Sequence, residues 1–488
     1  MVTETAENRK ERIDPALIKL GVVVLLGIIV SVIDGTLMVV AIDAIRRDFN
    51  ASTQTIQWVT GAYLLATCAV IPASGYAVNR FSARKVWLVS LSAFLVASVL
   101  CSLAWSPASL ICFRVLQGFS GGLIGMVATI VLTRAAGPER AGRAFSAVAV
   151  PSNLAPVVGP IAGGLLVDAA SWRWLFFGQI PLLIFALCAA WYVLPKDQRD
   201  PRARLDWVGL MLVTSGMSAL VYGLSVVTRI GDEGLMDSAG GRVGVAAVVA
   251  GLLLMLGFVI HAVRSRTTPL IDVRLFAHLR FTIANVLLFV AGFLLYGLLF
   301  LIPLYYQQVV GLDAASAGVL LAPQGAGMGI AGIFVGSLTD RFGPRPVVLC
   351  GLVLVMAGTF PFVGAGTDPN GLLMGMSLAV RGAGLASVSI PLAATLYKLR
   401  LPDSAIPHIT TISAVAMRVG GAFGAAMAAV GLQLASPHAG SGGTTAGSAP
   451  ASAFAHTFGW MTGLLLVPLL LAMLLPGRRI HRSKKGSS

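Results

Sequence analysis

Two short stretches carry the reading of this chain: GYAVNRFSARK at 75–85 and GSLTDRFGPR at 336–345. Each sets a glycine four residues before an amide or acid (Asn79, Asp340), follows it with Arg80-Phe or Arg341-Phe, and closes on basic residues (Arg84 and Lys85; Arg345). Gly75 and Gly336 lie 261 residues apart, and a second landmark recurs at nearly the same distance. That landmark is an arginine inside a later apolar segment, Arg114 in FRVLQG and Arg381 in VRGAG, whose separation differs from the first by less than two helical turns. Two landmarks repeated in order and at matching spacing mark a chain built from two homologous halves. Duplicated membrane bundles of this kind belong to secondary transporters, which move around a site near the bilayer midplane. An ion channel or a membrane enzyme does not need that symmetry.

Composition agrees with a membrane setting. Of 488 residues 57% are hydrophobic and 11% charged, with mean hydropathy +0.86, whereas a soluble chain carries about 25% charged residues. A soluble enzyme is excluded. Fourteen apolar segments are expected, at 18–44, 54–78, 86–105, 108–133, 144–167, 172–194, 206–228, 243–263, 282–304, 315–338, 347–366, 371–397, 405–433 and 456–476. The fold class is therefore an all-α polytopic membrane protein of two six-helix bundles with two helices inserted between them. The expected division is a tail at 1–17, a first bundle at 18–194, the inserted pair with its linkers at 195–280, a second bundle at 281–476 and a basic tail at 477–488. The first segment is long and contains Asp34, so it reads as an uncleaved span and not as a secretory signal.

Cytoplasmic loops are enriched in Lys and Arg, which fixes orientation. With the amino terminus inside, 27 of the 35 basic residues fall in inside segments, 5 outside and 3 within spans. Both termini are expected in the cytoplasm, and the span count must be even. The uncharged run SPHAGSGGTTAGSAPASA, 436–453, reads as an external flexible linker. The formal charge of +15 is scattered between apolar segments, so it speaks of membrane orientation and not of nucleic acid. Cys68, Cys101, Cys112, Cys188 and Cys350 all fall in apolar stretches without a CxxC or Cys/His cluster, and are expected to be buried thiols. No metal and no cofactor is expected. No GxxxxGK[ST] loop is present, so a gradient and not ATP supplies the energy.

The two loops resemble the cytoplasmic loop motif of the major facilitator superfamily, and APVVGPIAGG at 155–164 resembles the antiporter motif of its proton-driven exporters. With Asp34-Gly-Thr36, the Arg114, Gln117, Gly118 element, WRWLFF at 172–177 and fourteen spans, the chain is similar to the fourteen-helix drug:proton antiporter branch. The resemblance covers essentially the whole chain. It implies gating roles for Gly75, Asn79, Arg80, Arg84, Gly336, Asp340, Arg341, Gly343 and Arg345, and a seal between halves at Pro156, Gly159, Pro160, Gly163 and Gly164. It also implies a proton-driven exporter of hydrophobic, cationic drugs or toxic metabolites in the cytoplasmic membrane. Asn79 stands where the family has Asp, and Ser82 where it has Gly, so the second loop keeps the fuller motif.

Asp34 is the one acidic residue deep inside a span. A charge at the bilayer centre costs at least about 2.5–3.5 kcal/mol, so such a group faces a cavity or a partner. The expectation is that Asp34 alternately holds the coupling proton and a cationic substrate, with Arg114 tuning it; a permanent structural Asp34–Arg114 pair is the competing role. Arg381 and Arg418 have no acid within the second half's spans. Two roles fit them: drawing an anionic or zwitterionic headgroup, or, more simply, sitting near the cytoplasmic helix ends. Gly420, Gly421 and Gly424 form a small-residue face beside Arg418. Trp58, Tyr63, Gln117, Phe119, Asn153, Tyr296, Tyr305, Gln307 and Gln324 are candidates for a large, mainly apolar cavity. The expected partners are a small amphipathic substrate, protons and the bilayer. A monomer is expected, with room for an accessory export protein. A lipid or lipid-like metabolite flippase is the alternative reading.

Overall fold

The computed structural model describes residues 15–51, 53–136, 166, 170–194, 205–227, 239–265, 273–312, 314–397, 406–435 and 451–475. The first half contains α1 (Pro15–Asp48), α2 (Thr53–Phe81), α3 (Ala83–Ser102), α4 (Pro107–Ala136), α5 (Trp174–Phe177) and α6 (Ile180–Val193). Between the halves in sequence lie α7 (Trp207–Val227) and α8 (Ala239–Arg264). The second half contains α9 (Leu279–Gln308), α10 (Ala314–Val319), α11 (Ala322–Phe342), α12 (Pro344–Thr359), α13 (Gly371–Tyr397), α14 (Ile406–Ala435), α15 (Ala451–Gly463) and α16 (Leu466–Ala472). Among the described residues, twelve segments are long and apolar enough to cross a membrane, the first starting at Trp58. The 34-residue α1 precedes them. The expected span at 144–167 lies outside the described residues except for Leu166, as do 436–450 of the expected linker 436–453, residues 1–14 and the tail 477–488; Pro15–Leu17 and Ala451–Ala453 are instead helical, at the starts of α1 and α15.

The spans are helical because a backbone in hydrocarbon must satisfy its own N–H and C=O groups. Where the chain reverses at the two repeated loops it spends a single residue. Ser82 joins α2 to α3 with φ 82 and ψ 148, and Gly343 joins α11 to α12 with φ 86 and ψ 167. The two positions correspond under the shift that relates Gly75 to Gly336, so the duplication extends to backbone conformation. Glycine adopts this region freely, whereas serine holds it under strain of about 1–3 kcal/mol.

Packing follows the same duplication. α4 packs against α2 and α3 in the first half, and α13 packs against α11 and α12 in the second. Each half has its own core. Val24, Ile28, Trp87, Leu91, Phe94 and Ile124 fill the first, and Phe281, Leu287, Val348, Leu352, Leu385 and Leu392 the second. The halves meet where α14 lies along α2, with α4 also reaching α14. Ser74 and Thr411 hydroxyls approach to 3.4 Å across this seam, both fully buried. α7 packs against both α2 and α14. Its Thr214 hydroxyl donates to the Ala69 carbonyl at 3.2 Å, and Tyr222 stacks on Trp58. α8 pairs with α7 and is the most peripheral span: 17% of its apolar window is buried, against 67% for α4.

Three expected spans hold as spans but are not continuous helices: 172–194 turns at Gly178–Gln179 between α5 and α6, 315–338 at Leu320–Leu321 between α10 and α11, and 456–476 between α15 and α16. One expectation needs correction. Of the five cysteines only Cys68 and Cys101 are buried; Cys112, Cys188 and Cys350 are exposed on the outer faces of their helices, where a thiol behaves as one more apolar group toward lipid.

Candidate functional site

Asp34 lies about four helical turns before the end of α1 at Asp48. Its side chain turns into the first bundle and has no exposed surface. Arg114, in the third turn of α4, meets it there: Nη1 donates to Oδ2 at 2.7 Å, both side chains fully buried. The second carboxylate oxygen, Oδ1, accepts from the Gln117 amide at 3.2 Å and the Gln179 amide at 3.0 Å. All three bonds are made to acceptor oxygens, as an ionised carboxylate offers.

The spacing of Arg114 and Gln117, three residues apart on α4, stacks both on one helix face. Gln117 is saturated. Its Oε1 accepts from Arg114 at 2.8 Å and from the Cys101 thiol at 3.6 Å, and its Nε2 also donates to Ser98 at 2.9 Å. Gln179 sits at the break between α5 and α6, where it also donates to the Leu175 carbonyl at 2.8 Å. The break is what lets an amide of the sixth apolar segment point inward at Asp34.

Arg114 is bound to two helices besides its own. Its Nε donates to the Val59 carbonyl of α2 at 3.3 Å, and its guanidinium lies 4.2 Å from the centre of the Tyr63 ring, also on α2. Phe176 closes another side at 5.9 Å. Gly118 makes the approach of α2 to α4 feasible, because a Cβ there would collide with the Tyr63 carbonyl. The Arg114 Nη2 and the Gln179 Oε1 are buried without a hydrogen-bond partner, a cost of about 1–3 kcal/mol for each neutral group and more for a charged one. The pair is thus fully enclosed, with two polar atoms of its shell left unsatisfied. A cationic substrate at Asp34 would have to displace Arg114 from a carboxylate with no exposed surface.

The second half repeats the arginine without the acid. Arg381, fully buried near the middle of the span Gly371–Leu396, donates to the Gln324 side chain and to the Leu294 carbonyl at 3.0 Å. Its Nε has no partner. Under the shift that relates the two loops, Gln324 corresponds to Tyr63, and Tyr296 to Asp34 within one residue. The carboxylate of one half is thus a phenol in the other.

Arg418 is on α14, near the middle of the span His408–Leu432, so neither it nor Arg381 caps a helix end as the simpler expectation had it. Its Nη1 donates to the Cys68 thiol of α2 at 3.9 Å, and it stays half-buried. The Tyr296 ring lies against α14 at Gly421, where a Cβ would collide with it, and keeps 39% exposure. Of the other cavity candidates, Trp58 and Phe119 are exposed, and so is Gln307, one residue before the end of α9. Tyr305 instead packs among Phe362, Phe454 and Phe458 and donates to the Gly366 carbonyl at 2.6 Å. Asn153 and the segment bearing Pro156, Gly159, Pro160, Gly163 and Gly164 lie outside the described residues.

In the repeated loops, Arg84 donates to the Trp191 carbonyl at 2.6 Å, tying the loop to the end of α6, and Arg134 reaches Asn79 at 3.5 Å. Gly75 and Gly336 are buried at the ends of α2 and α11, Asp340 and Arg80 are partly buried, Arg341 lies 5.2 Å over the Phe342 ring, and Arg345 is exposed. Away from the buried network, Arg173 donates to Asp48 at 2.7 Å and Trp172 to the same oxygen at 3.1 Å. The Arg173 hydrogen bond holds Asp48 below the usual carboxylate range against some desolvation.

Two pseudo-symmetric helical halves meeting at a seam, with buried charges near mid-span, define a membrane transporter of the secondary type. The sequence matches the Major Facilitator Superfamily over residues 24–425, and the chain belongs to that family. It is 34% identical over 422 residues to the multidrug resistance protein B homolog of Mycobacterium tuberculosis, covering 86% of this chain and 77% of the relative. The tetracenomycin C resistance and export protein of Streptomyces glaucescens is 29% identical over 410 residues, 83% of this chain and 74% of that protein. The crystal structure of the human organic anion transporter MFSD10 (TETRAN) shares the fold, with a TM-score of 0.62 at 16% identity over 94% of this chain and 100% of that one.

Gln179 is the site residue the sequence reading missed. An amide between Gly178 and Ile180, inside an otherwise apolar segment, was the available signal.

Proposed function

We propose that the chain is a proton-driven antiporter that exports hydrophobic, amphipathic drugs or toxic metabolites across the cytoplasmic membrane by alternating access. The observation that carries the reading is the buried Asp34–Arg114 pair with its two amide donors. Proton arrival at Asp34 frees Arg114 from α1; its remaining partners are Gln117 on its own helix, the Phe176 ring, and the Val59 carbonyl and Tyr63 ring of α2. α2 is also the helix that meets α14 at the seam between the halves. Protonation inside the first bundle is thereby passed to the surface on which the halves move. Two curated relatives named for multidrug resistance and for export of an antibiotic support the drug-efflux reading.

The proposed topology has fourteen membrane helices: the twelve described segments, α1, and the apolar stretch 144–167. Both termini lie in the cytoplasm, on the basic side of the 27-to-5 asymmetry. Ser74 and Thr411 then close the cytoplasmic end of the seam. The working unit is a monomer, to which an accessory export protein can add. The test is efflux of a lipophilic fluorescent dye from vesicles under an imposed proton gradient, with a fluorescent lipid as control. Gradient-dependent dye movement without lipid flipping is expected; lipid flipping alone overturns the reading.

A further inference from the structure

We propose that Arg418 is the docking point for an acidic group on the exported molecule, so that the preferred cargo is a hydrophobic aromatic acid and not a cation. The inference rests on the export reading above and names its substrate class. The charges in the spans are unequal in availability. Asp34, the one carboxylate deep in a span, is fully enclosed and already takes three donors. Arg114 and Arg381 have no exposed surface. Arg418 remains half-buried at mid-span, and among the described residues its hydrogen-bonding partner is a neutral thiol, Cys68. A guanidinium held in an apolar setting without a carboxylate seeks an anion, and its fork suits a carboxylate in particular.

Its setting points the same way. Arg418 reaches Cys68 of α2 across the seam, and α7 packs against both α2 and α14, so the guanidinium sits where the two halves meet. Tyr296 and Tyr63 are near enough to interact with it electrostatically. Tyr296, in contact with α14 at Gly421 and partly exposed, offers an aromatic surface beside the charge. Tyr63 stacks on Arg114, so an anion at Arg418 lies one residue away from the proton site and can feel its state.

The test uses the purified full-length protein in detergent at pH 7.5 and three pyrene probes of the same length: pyrenebutyric acid, its methyl ester and a trimethylammonium analogue. Binding is read by fluorescence anisotropy. The acid is expected to bind at least about tenfold more tightly than the ester or the cation, which is what one charge-assisted hydrogen bond supplies. Arg418→Gln removes that preference and shifts ester affinity less than about twofold, while Arg418→Lys keeps part of it. Equal affinity for acid and ester in the wild type, no binding of either included, overturns the assignment; so does equal weakening of acid and ester by Arg418→Gln. Should that variant not be recovered folded, the wild-type ratio decides. A preserved acid preference with no gradient-driven transport of any probe in vesicles refutes proton-driven export and leaves the docking assignment standing.

Discussion

Replacing Asp34 by Asn tests whether the buried pair couples protons to transport. Asn keeps the shape and one acceptor oxygen, so Gln117 and Gln179 retain a partner while Arg114 loses its counter-charge. At an effective dielectric near 20, charges about 4 Å apart attract by about 4 kcal/mol. Removing one member of a fully buried pair costs about 3–5 kcal/mol, because the other charge stays in the interior unpaired. Asp34→Asn should therefore lower stability by about 3 kcal/mol, and Arg114→Gln by a similar amount. The double variant should lose much less than the sum, with a coupling of about 2 kcal/mol or more. Thermal unfolding in detergent measures this cycle. Transport separates structure from coupling: Asp34→Asn should abolish gradient-driven efflux in vesicles yet permit exchange of labelled for unlabelled dye without a gradient. The double variant should recover folding but not gradient-driven efflux. Wild-type gradient-driven efflux by Asp34→Asn would refute proton coupling at this residue, and additive single variants would refute the pair's energetic role.

The remaining predictions concern the shell and the repeats. Gln179→Leu removes a donor from Asp34 and should cost about 1–3 kcal/mol in the same unfolding assay, with a displaced pH profile of efflux. Ser82→Gly relieves a serine held at φ 82 and should stabilise the protein by about 1 kcal/mol, less the weak 3.4 Å cap it makes with the Lys85 amide; Gly343→Ser should do the reverse. Gly118→Leu drives a side chain into the Tyr63 carbonyl and should leave little folded protein on size-exclusion chromatography. Asp48 has its folded pKa below 3.8, so its contribution is complete above that value and fades as pH falls through the lower folded pKa. An acid unfolding curve between pH 5 and pH 2, settings chosen to bracket that range, should flatten slightly in Asp48→Asn. Both partners are partly exposed and salt-screened, so the change is small.

Much of the architecture was legible along the chain because hydrocarbon imposes a one-dimensional rule. A span is a run of about 20 apolar residues, and a charge within it is costly enough to stand out. Hence twelve of the expected spans, the duplicated loops and the burial of Asp34 and Arg114 were readable from residue order alone. Even the pairing of Asp34 with Arg114 could be named, since a buried arginine needs an acid and one was on offer. The strained link at Ser82 was visible only as a departure from a glycine pattern; its backbone angle was not.

Direction and neighbourhood lay beyond that reach. Period and hydropathy say that a residue is in a span but not whether its side chain turns toward lipid, into its own bundle or across the seam. Asp34 turns into the first bundle, so it meets Gln117 and Gln179 and has no open face. Arg418 turns across the seam to Cys68, 350 positions away in sequence, and keeps an open face. Cys112, Cys188 and Cys350 turn outward although their segments are as apolar as those of Cys68 and Cys101. Membrane insertion rewards each helix for its own composition, one segment at a time, whereas the rotation of a helix and its neighbours depend on fitting small residues and polar partners from distant segments at once.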